Sequence, residues 1–228
     1  MTTTARWRRG ATALAALALA LIPAAVPANA AKQPGASAPA LVQSRRLPEP
    51  PPVEQARAEL DKLVIEAPHS MTGYSRDRFP HWIRQYATCD TREVVLQRDG
   101  QNVVQDDQCR AVSGIWISPY DDKVFTDAKA LDIDHLVPLA ASWRAGADTW
   151  TTDQRKQFAN DLTHSQLVAV SAASNRSKAD KGPDQWRPPL RSYWCTYSRA
   201  WTDIKHIYGL SVTAAEKTAL VEMLDTCA

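Results

Sequence analysis

Four cysteines, Cys89, Cys109, Cys195 and Cys227, narrow the folds open to this chain more than any other feature, provided that the chain is exported. In an oxidising compartment an even set of thiols closes into covalent loops. The first thirty residues support export. Arg6, Arg8 and Arg9 precede an apolar run from Ala11 to Ile22, too short to span a bilayer, and Ala28-Asn29-Ala30 supplies the small-x-small pattern of a cleavage site. Residues 1–30 therefore read as a signal peptide. None of the cysteines forms a CxxC pair, which argues against a zinc knuckle or a redox motif. Four cysteines allow three pairings. Proximity favours Cys89–Cys109 and Cys195–Cys227, each closing a modest loop with a contribution of about 3 kcal/mol.

Removing the leader changes the charge balance. The chain has 27 basic and 25 acidic residues, and the leader carries three arginines and no acids, so the remainder is close to neutral. Bulk charge therefore gives no reason to infer a nucleic-acid partner, and only a local patch could. Residues 31–52 are rich in Ala, Pro and Ser, end in Pro48-Glu-Pro-Pro-Pro52 and read as a disordered linker. A single domain follows over 53–228.

Within it, Ala56, Leu60, Leu63 and Val64 predict a helix over 53–65, and Asp90 or Thr91 caps a short helix closed near Gly100. Strands are predicted at 112–117, 123–126, 131–134 and 167–170. Pro138–Arg144 suits a helical turn, and a further helix starts at Thr151 or Thr152. Ser171 caps a helix through Lys178. Thr213 with Glu216 forms a capping box ahead of Leu220, Met223, Leu224 and Cys227.

The segment Leu131-Asp-Ile-Asp-His-Leu-Val-Pro-Leu139 carries the chemistry. An imidazole, with its pKa near neutrality, suits proton removal from water. Asp134 beside it can bind a hard cation while His135 points elsewhere. Asp132 lies on the same strand face as Asp134 and could assist the cation through water. Taken alone, an Asp-His pair is more often an ordinary strand end. Downstream, Phe158-Ala-Asn-Asp-Leu162, Gln166-Leu-Val-Ala-Val-Ser-Ala172 and Asn175-Arg-Ser-Lys178 change that balance.

Together these stretches resemble the HNH, or ββα-metal, nucleases. More narrowly, they resemble secreted HNH endonucleases related to the C-terminal domain of modification-dependent restriction enzymes. The likeness is close over 131–189 and looser over Cys89-Asp-Thr-Arg92, Gly114-x-Trp116-x-x-x-Tyr120 and Tyr193-Trp-Cys195. It implies an α+β fold, with an HNH core of short antiparallel strands plus a metal-binding helix, embedded in further helices. It also implies an extracellular endonuclease that hydrolyses phosphodiester bonds in DNA, and RNA as a second substrate. In that reading Asp134 and Asn175 are metal ligands, His135 is the general base, and Asn160 is the catalytic-motif asparagine that braces the loop. An all-oxygen site favours Mg²⁺, then Mn²⁺, with Zn²⁺ disfavoured. His164 could bring zinc into play but reads better as a surface or packing histidine. Arg92, Arg155, Arg176, Lys178 and Lys181 are candidate phosphate contacts. Most of the seven tryptophans beyond the leader read as core. His81 and His206 carry no site signal. A monomer without stable membrane association is expected after signal cleavage. The rival reading is an exported nucleic-acid-binding module that keeps the scaffold without turnover. A secreted peptidase is disfavoured, since neither HExxH nor GxSxG occurs.

Overall fold

The computed structural model describes residues 47–227. The leader and the linker as far as residue 46 lie outside the described residues. The last part of the expected linker, Leu47 to Pro52, lies against the domain. Arg199 collects the carbonyls of Pro50 and Pro51 and the Glu49 carboxylate, and the Ser165 hydroxyl donates to the Pro48 carbonyl. Four prolines in this stretch have no N–H to satisfy. Their carbonyls alone need partners, and one arginine fork supplies two of the four, with Ser165 and the Ala56 amide supplying the others.

Among the described residues seven α-helices and seven short strands follow. Helix α1 (Val53–Lys62) ends earlier than its apolar pattern predicts, because Ile65 forms a parallel bridge with Val212 and Val64 is exposed. Strands β1 (Arg84–Tyr86) and β2 (Cys89–Asp90) form a small hairpin. The Asp90 carboxylate then caps α2 (Thr91–Asp99) by accepting from the Glu93 amide. Strands β3 (Gln101–Gln105), β4 (Ala111–Ile117) and β5 (Val124–Phe125) form an antiparallel sheet. Cys89–Cys109 ties the first hairpin to the β3–β4 turn.

The middle of the molecule is a two-stranded antiparallel ribbon of β6 (Leu131–His135) and β7 (Leu167–Ser171). Between them run α3 (Leu139–Arg144) and α4 (Thr152–Ala159), the latter opened by a capping box from Thr151 and Gln154. Helix α5 (Ala172–Lys178) starts at Ser171, whose hydroxyl accepts from the Ser174 amide. The order is therefore strand, helical insertion, strand, helix, as the sequence predicts. Helix α6 (Trp194–Ile207) and helix α7 (Ala214–Leu224) close the chain, with Cys195–Cys227 joining them.

Both faces of the ribbon are covered, so β7 reads as an uninterrupted apolar run rather than an alternating one. Directly paired residues share a face. Val168 and Val170 join the larger core, built with α1, α3, α6 and α7 around Tyr120, Tyr197 and Trp201. Leu131, Ile133, Leu167 and Ala169 join a smaller core with α2 and Trp116. Among the described residues no helix is long and apolar enough to cross a membrane.

Candidate active site

Strand alternation decides what Asp134 and His135 can each touch. Asp132 pairs with Val170 and Asp134 with Val168, so both carboxylates stand on the larger-core face, while His135, opposite Leu167, points to the other side. Because both residues sit at the strand end, each also borders one cleft of about 320 Å³. Tyr74 and Arg76 from the loop after α1, and Asn175, Arg176 and Asp180 from α5 and just beyond it, border the same cleft.

The Asp134 carboxylate is buried and fully engaged. The Tyr120 hydroxyl donates to Oδ2 at 2.6 Å, and the Lys178 ammonium lies 3.0 Å from Oδ1 and 2.8 Å from Oδ2. Lys178 is completely buried and also donates to the His135 carbonyl. Burial pushes the Asp134 carboxyl up and the Lys178 ammonium down, and the attraction between them opposes both shifts. Burial likewise raises the Tyr120 phenol well above its usual value, which keeps it a donor. On the same strand face, Asp132 Oδ2 accepts from Asn175 Nδ2 at 3.1 Å. That bond turns the Asn175 amide so that its oxygen has no protein partner among the described residues.

His135 is held from three sides. Its Nε2 lies 2.9 Å from the Ala159 carbonyl. A carbonyl only accepts, so Nε2 carries the hydrogen and the neutral ring keeps its lone pair on Nδ1. Burial lowers the imidazole to a pKa of about 3, so the ring is neutral across the physiological range. The Trp82 indole stacks on it at 5.1 Å between centroids and 8° between planes, and the His81 ring meets it edge-on at 5.7 Å.

Asn160 explains why these aromatic rings are there. It caps the end of α4, and both acceptor lobes and both N–H donors of its side chain are used. Oδ1 accepts from the Ile83 amide and the Thr91 hydroxyl, and Nδ2 donates to the carbonyls of Pro80 and Lys156. It thus pins both flanks of His81-Trp82 and fixes the chain next to the Ala159 carbonyl that orients His135.

Of the sequence-derived candidates, Asp134, His135, Asn175 and Arg176 share the cleft, with Asp132 bonded to Asn175. Three candidate phosphate contacts are spent elsewhere. Arg92 donates to the carbonyls of Ala128 and Leu131, and Arg155 to those of Arg78, Ala147 and Trp150. Both guanidiniums are committed to main-chain carbonyls of the scaffold. Lys178 is the buried counter-ion just described. Lys181 is exposed and donates to the Ser177 carbonyl. His164 is bonded to Asp161, away from the cleft, as its packing reading predicts. Sequence reasoning missed Tyr74, Arg76, His81 and Trp82 as neighbours of His135 and its cleft. Nothing in their spacing links residues 74–82 to residue 135; the link is made in space, by the ring contacts of His81 and Trp82 with His135 and by the hold of Asn160 and Arg155 on the same loop.

The donor chemistry suits a hard cation, since a carboxylate and a free amide oxygen border one cleft. Among the described residues no group of three His, Cys, Asp or Glu side chains is placed to hold a metal ion. Any such ion would rest on Asp134, Asn175 and water, and would share Asp134 with Lys178.

Residues 92–223 match the family model of the C-terminal domain of GmrSD restriction endonucleases. A protein of Arthroderma benhamiae described as an uncharacterized secreted protein is 53% identical over 180 residues, covering 79% of this chain and 88% of its own length. No solved structure matches the chain.

Proposed function

The chain belongs to the family of GmrSD restriction endonuclease C-terminal domains, and from that membership we propose that it is an exported, metal-dependent endonuclease acting on phosphodiester bonds in DNA, with RNA as a second substrate. Export is supported by the leader pattern and by the likeness to the secreted protein of Arthroderma benhamiae. The observation that carries the chemistry is the convergence of Asp134, His135 and Asn175 on one cleft from a strand end and a separate helix.

His135 is the general base in this reading. Its Nε2 hydrogen is committed to the Ala159 carbonyl, which leaves Nδ1 as the only ring atom able to accept a proton from water. Stacking on Trp82 resists rotation of the ring, so the lone pair keeps one direction. Asp134 and the Asn175 amide oxygen hold a divalent cation, Mg²⁺ by donor type. Such an ion, when bound, polarises the scissile phosphate and stabilises the departing oxygen. Asp132 fixes the Asn175 amide so that its oxygen is the group presented. Asn160 acts through the 80–83 loop and α4 rather than on substrate.

One observation favours the rival reading, a binding module without turnover. Both Asp134 oxygens already have partners, one of them a cation. Supercoiled plasmid incubated with the secreted protein separates the two. Cleavage is expected with Mg²⁺ and not with EDTA, and His135→Ala should lose about 10²–10⁴ in rate at temperatures where it remains folded. Plasmid and RNA left intact under every divalent ion tried would leave only the binding module.

A further inference from the structure

Residues 74–82 lie before the stretch that matches the family, and one of them borders the cleft with most of its donors unspent. Arg76 opens the single 3-10 turn Arg76–Arg78 in the loop between α1 and β1, and it borders the same cleft as His135 and Asn175. Its Nε donates to His81 Nε2 at 3.1 Å. That bond requires His81 Nε2 to be an acceptor, which places the ring hydrogen on Nδ1, where it meets the Phe79 carbonyl. Burial lowers the His81 pKa, in keeping with a neutral ring. The loop behind it is pinned at Pro80 and Ile83 by Asn160.

An exposed arginine is ordinarily a free rotor whose ordering on binding is costly. Here one end of the guanidinium is already fixed by an imidazole that is itself fixed. Neither terminal nitrogen has a protein partner among the described residues. Arg92, Arg98, Arg144, Arg155 and Arg199 present the opposite case, with terminal nitrogens bound to carbonyls or carboxylates. The acid bordering the cleft beyond α5, Asp180, is held by Arg144 at 2.7 Å and is not free to neutralise Arg76. Across the same space Arg176 likewise has no protein partner among the described residues.

We propose that Arg76, aimed by His81, binds the non-bridging oxygens of a nucleic-acid phosphate in this cleft, with Arg176 on the adjoining wall. A planar fork with two free terminal nitrogens matches two phosphate oxygens, and it reads charge and shape rather than base identity. The proposal deepens the nuclease reading by naming how the substrate backbone is held, and it rests on that reading for its ligand.

The test measures binding apart from turnover. Fluorescent duplex oligonucleotide is titrated with His135→Ala protein, with and without Arg76→Ala, Arg76→Lys or His81→Ala, over a range of salt concentrations. Arg76→Ala should weaken binding about tenfold and flatten the slope of log K against log salt by about 0.9, the signature of one lost phosphate contact on duplex DNA. Arg76→Lys should keep the slope and lose part of the affinity, because the charge remains and the fork does not. His81→Ala should also keep the slope while weakening binding, as expected of a positioning residue. Unchanged affinity and slope in folded Arg76→Ala overturn the proposal, as does absence of any oligonucleotide binding by the parent at low salt. A protein that cuts plasmid but shows no Arg76 effect loses this proposal alone. One that binds through Arg76 yet cuts nothing loses the nuclease reading alone.

Discussion

Two buried lysine–carboxylate pairs flank the Trp201 ring, each with its ammonium 6.0 Å from the ring centre, and they are built for different purposes. Lys205 on α6 meets both oxygens of Glu216 at 2.6–2.7 Å and donates to the Ser211 carbonyl, while Trp201 Nε1 and the Thr213 amide complete the carboxylate. Glu216 is at the same time the capping-box residue of α7, so this pair holds helix to helix. The other pair, Lys178 and Asp134, has similar saturation but longer contacts of 2.8–3.0 Å, and its carboxylate borders a cleft of about 320 Å³, against about 90 Å³ beside Lys205. Equal chemistry thus produces a closed tie in the scaffold and, at the cleft, a carboxylate that borders open space. A buried ion pair is weak evidence of net stability, since desolvation offsets most of the attraction. What it does guarantee is a large cost when one partner is removed.

The largest effects should come from removing each carboxylate. Glu216→Gln and Asp134→Asn both strand a buried ammonium, at about 3–5 kcal/mol, or about 10 °C in melting temperature for a domain of this size, measured by thermal denaturation in EDTA. Function should divide them. At temperatures where both are folded, Asp134→Asn should lose more than about 10²-fold in plasmid cleavage, and Glu216→Gln should cut at the parent rate. A folded Glu216→Gln protein with the same deficit would erase the distinction between the pairs.

The lysine ends sharpen the same contrast with a smaller effect. Lys178→Met removes the charge that opposes the burial shift of Asp134, so a divalent cation becomes the partner that would hold its carboxylate ionised. Saturating Mg²⁺ should then recover about 2.7 kcal/mol, the linkage expected at a hundredfold excess over the dissociation constant. Lys205→Met should show no Mg²⁺-dependent rise in melting temperature, because the cleft beside Glu216 is only about 90 Å³. Equal Mg²⁺ responses in the two variants, or none in either, would contradict a shared Asp134 site.

That contrast also marks how far the sequence was readable. The ribbon and its helix were legible because β7 is an unbroken apolar run, Ser171 is an N-cap and the Asp-His pair ends a strand. Both disulfides follow the pairing that proximity favours. Helix α6, at 14 residues the longest among the described residues, is absent from the sequence-based expectations. Its signal is nonetheless present, since Tyr197, Ala200, Trp201 and Ile204 recur at helical spacing with Arg199, Asp203 and His206 on the opposite face. Strand β3 is Gln-Asn-Val-Val-Gln and carries little β signal. Within the site, residue types were legible and partnerships were not. Lys178 reads from sequence as a surface cation, and only the register of β6 against α5 turns it inward onto Asp134. Arg76, His81 and Trp82 reach His135 through the four hydrogen bonds of Asn160, a long-range tie that no local pattern encodes.

The smallest expected effect concerns a buried carboxyl that lacks an ammonium altogether. Asp203 lies on α6 two residues before Lys205, and its pKa is raised from 3.8 to about 6, chiefly by burial and then by the charge of Glu59 on α1. Asp161 adds to that rise, and His164 and His206 oppose it. A carboxyl whose folded pKa exceeds its unfolded value costs nothing while protonated in both states. The cost grows as pH rises from about 4 to about 6 and is complete above that. Asp203→Asn removes it, so the variant should gain on the order of 1 kcal/mol, after allowance for solvent screening, at pH 8 and nothing at pH 4. Urea unfolding at the two pH values measures the difference. A variant less stable than the parent at pH 8 would mean that ionised Asp203 has found a favourable partner, most directly His164 or His206. The presence of a resident ammonium would then no longer separate Asp134 and Glu216 from Asp203.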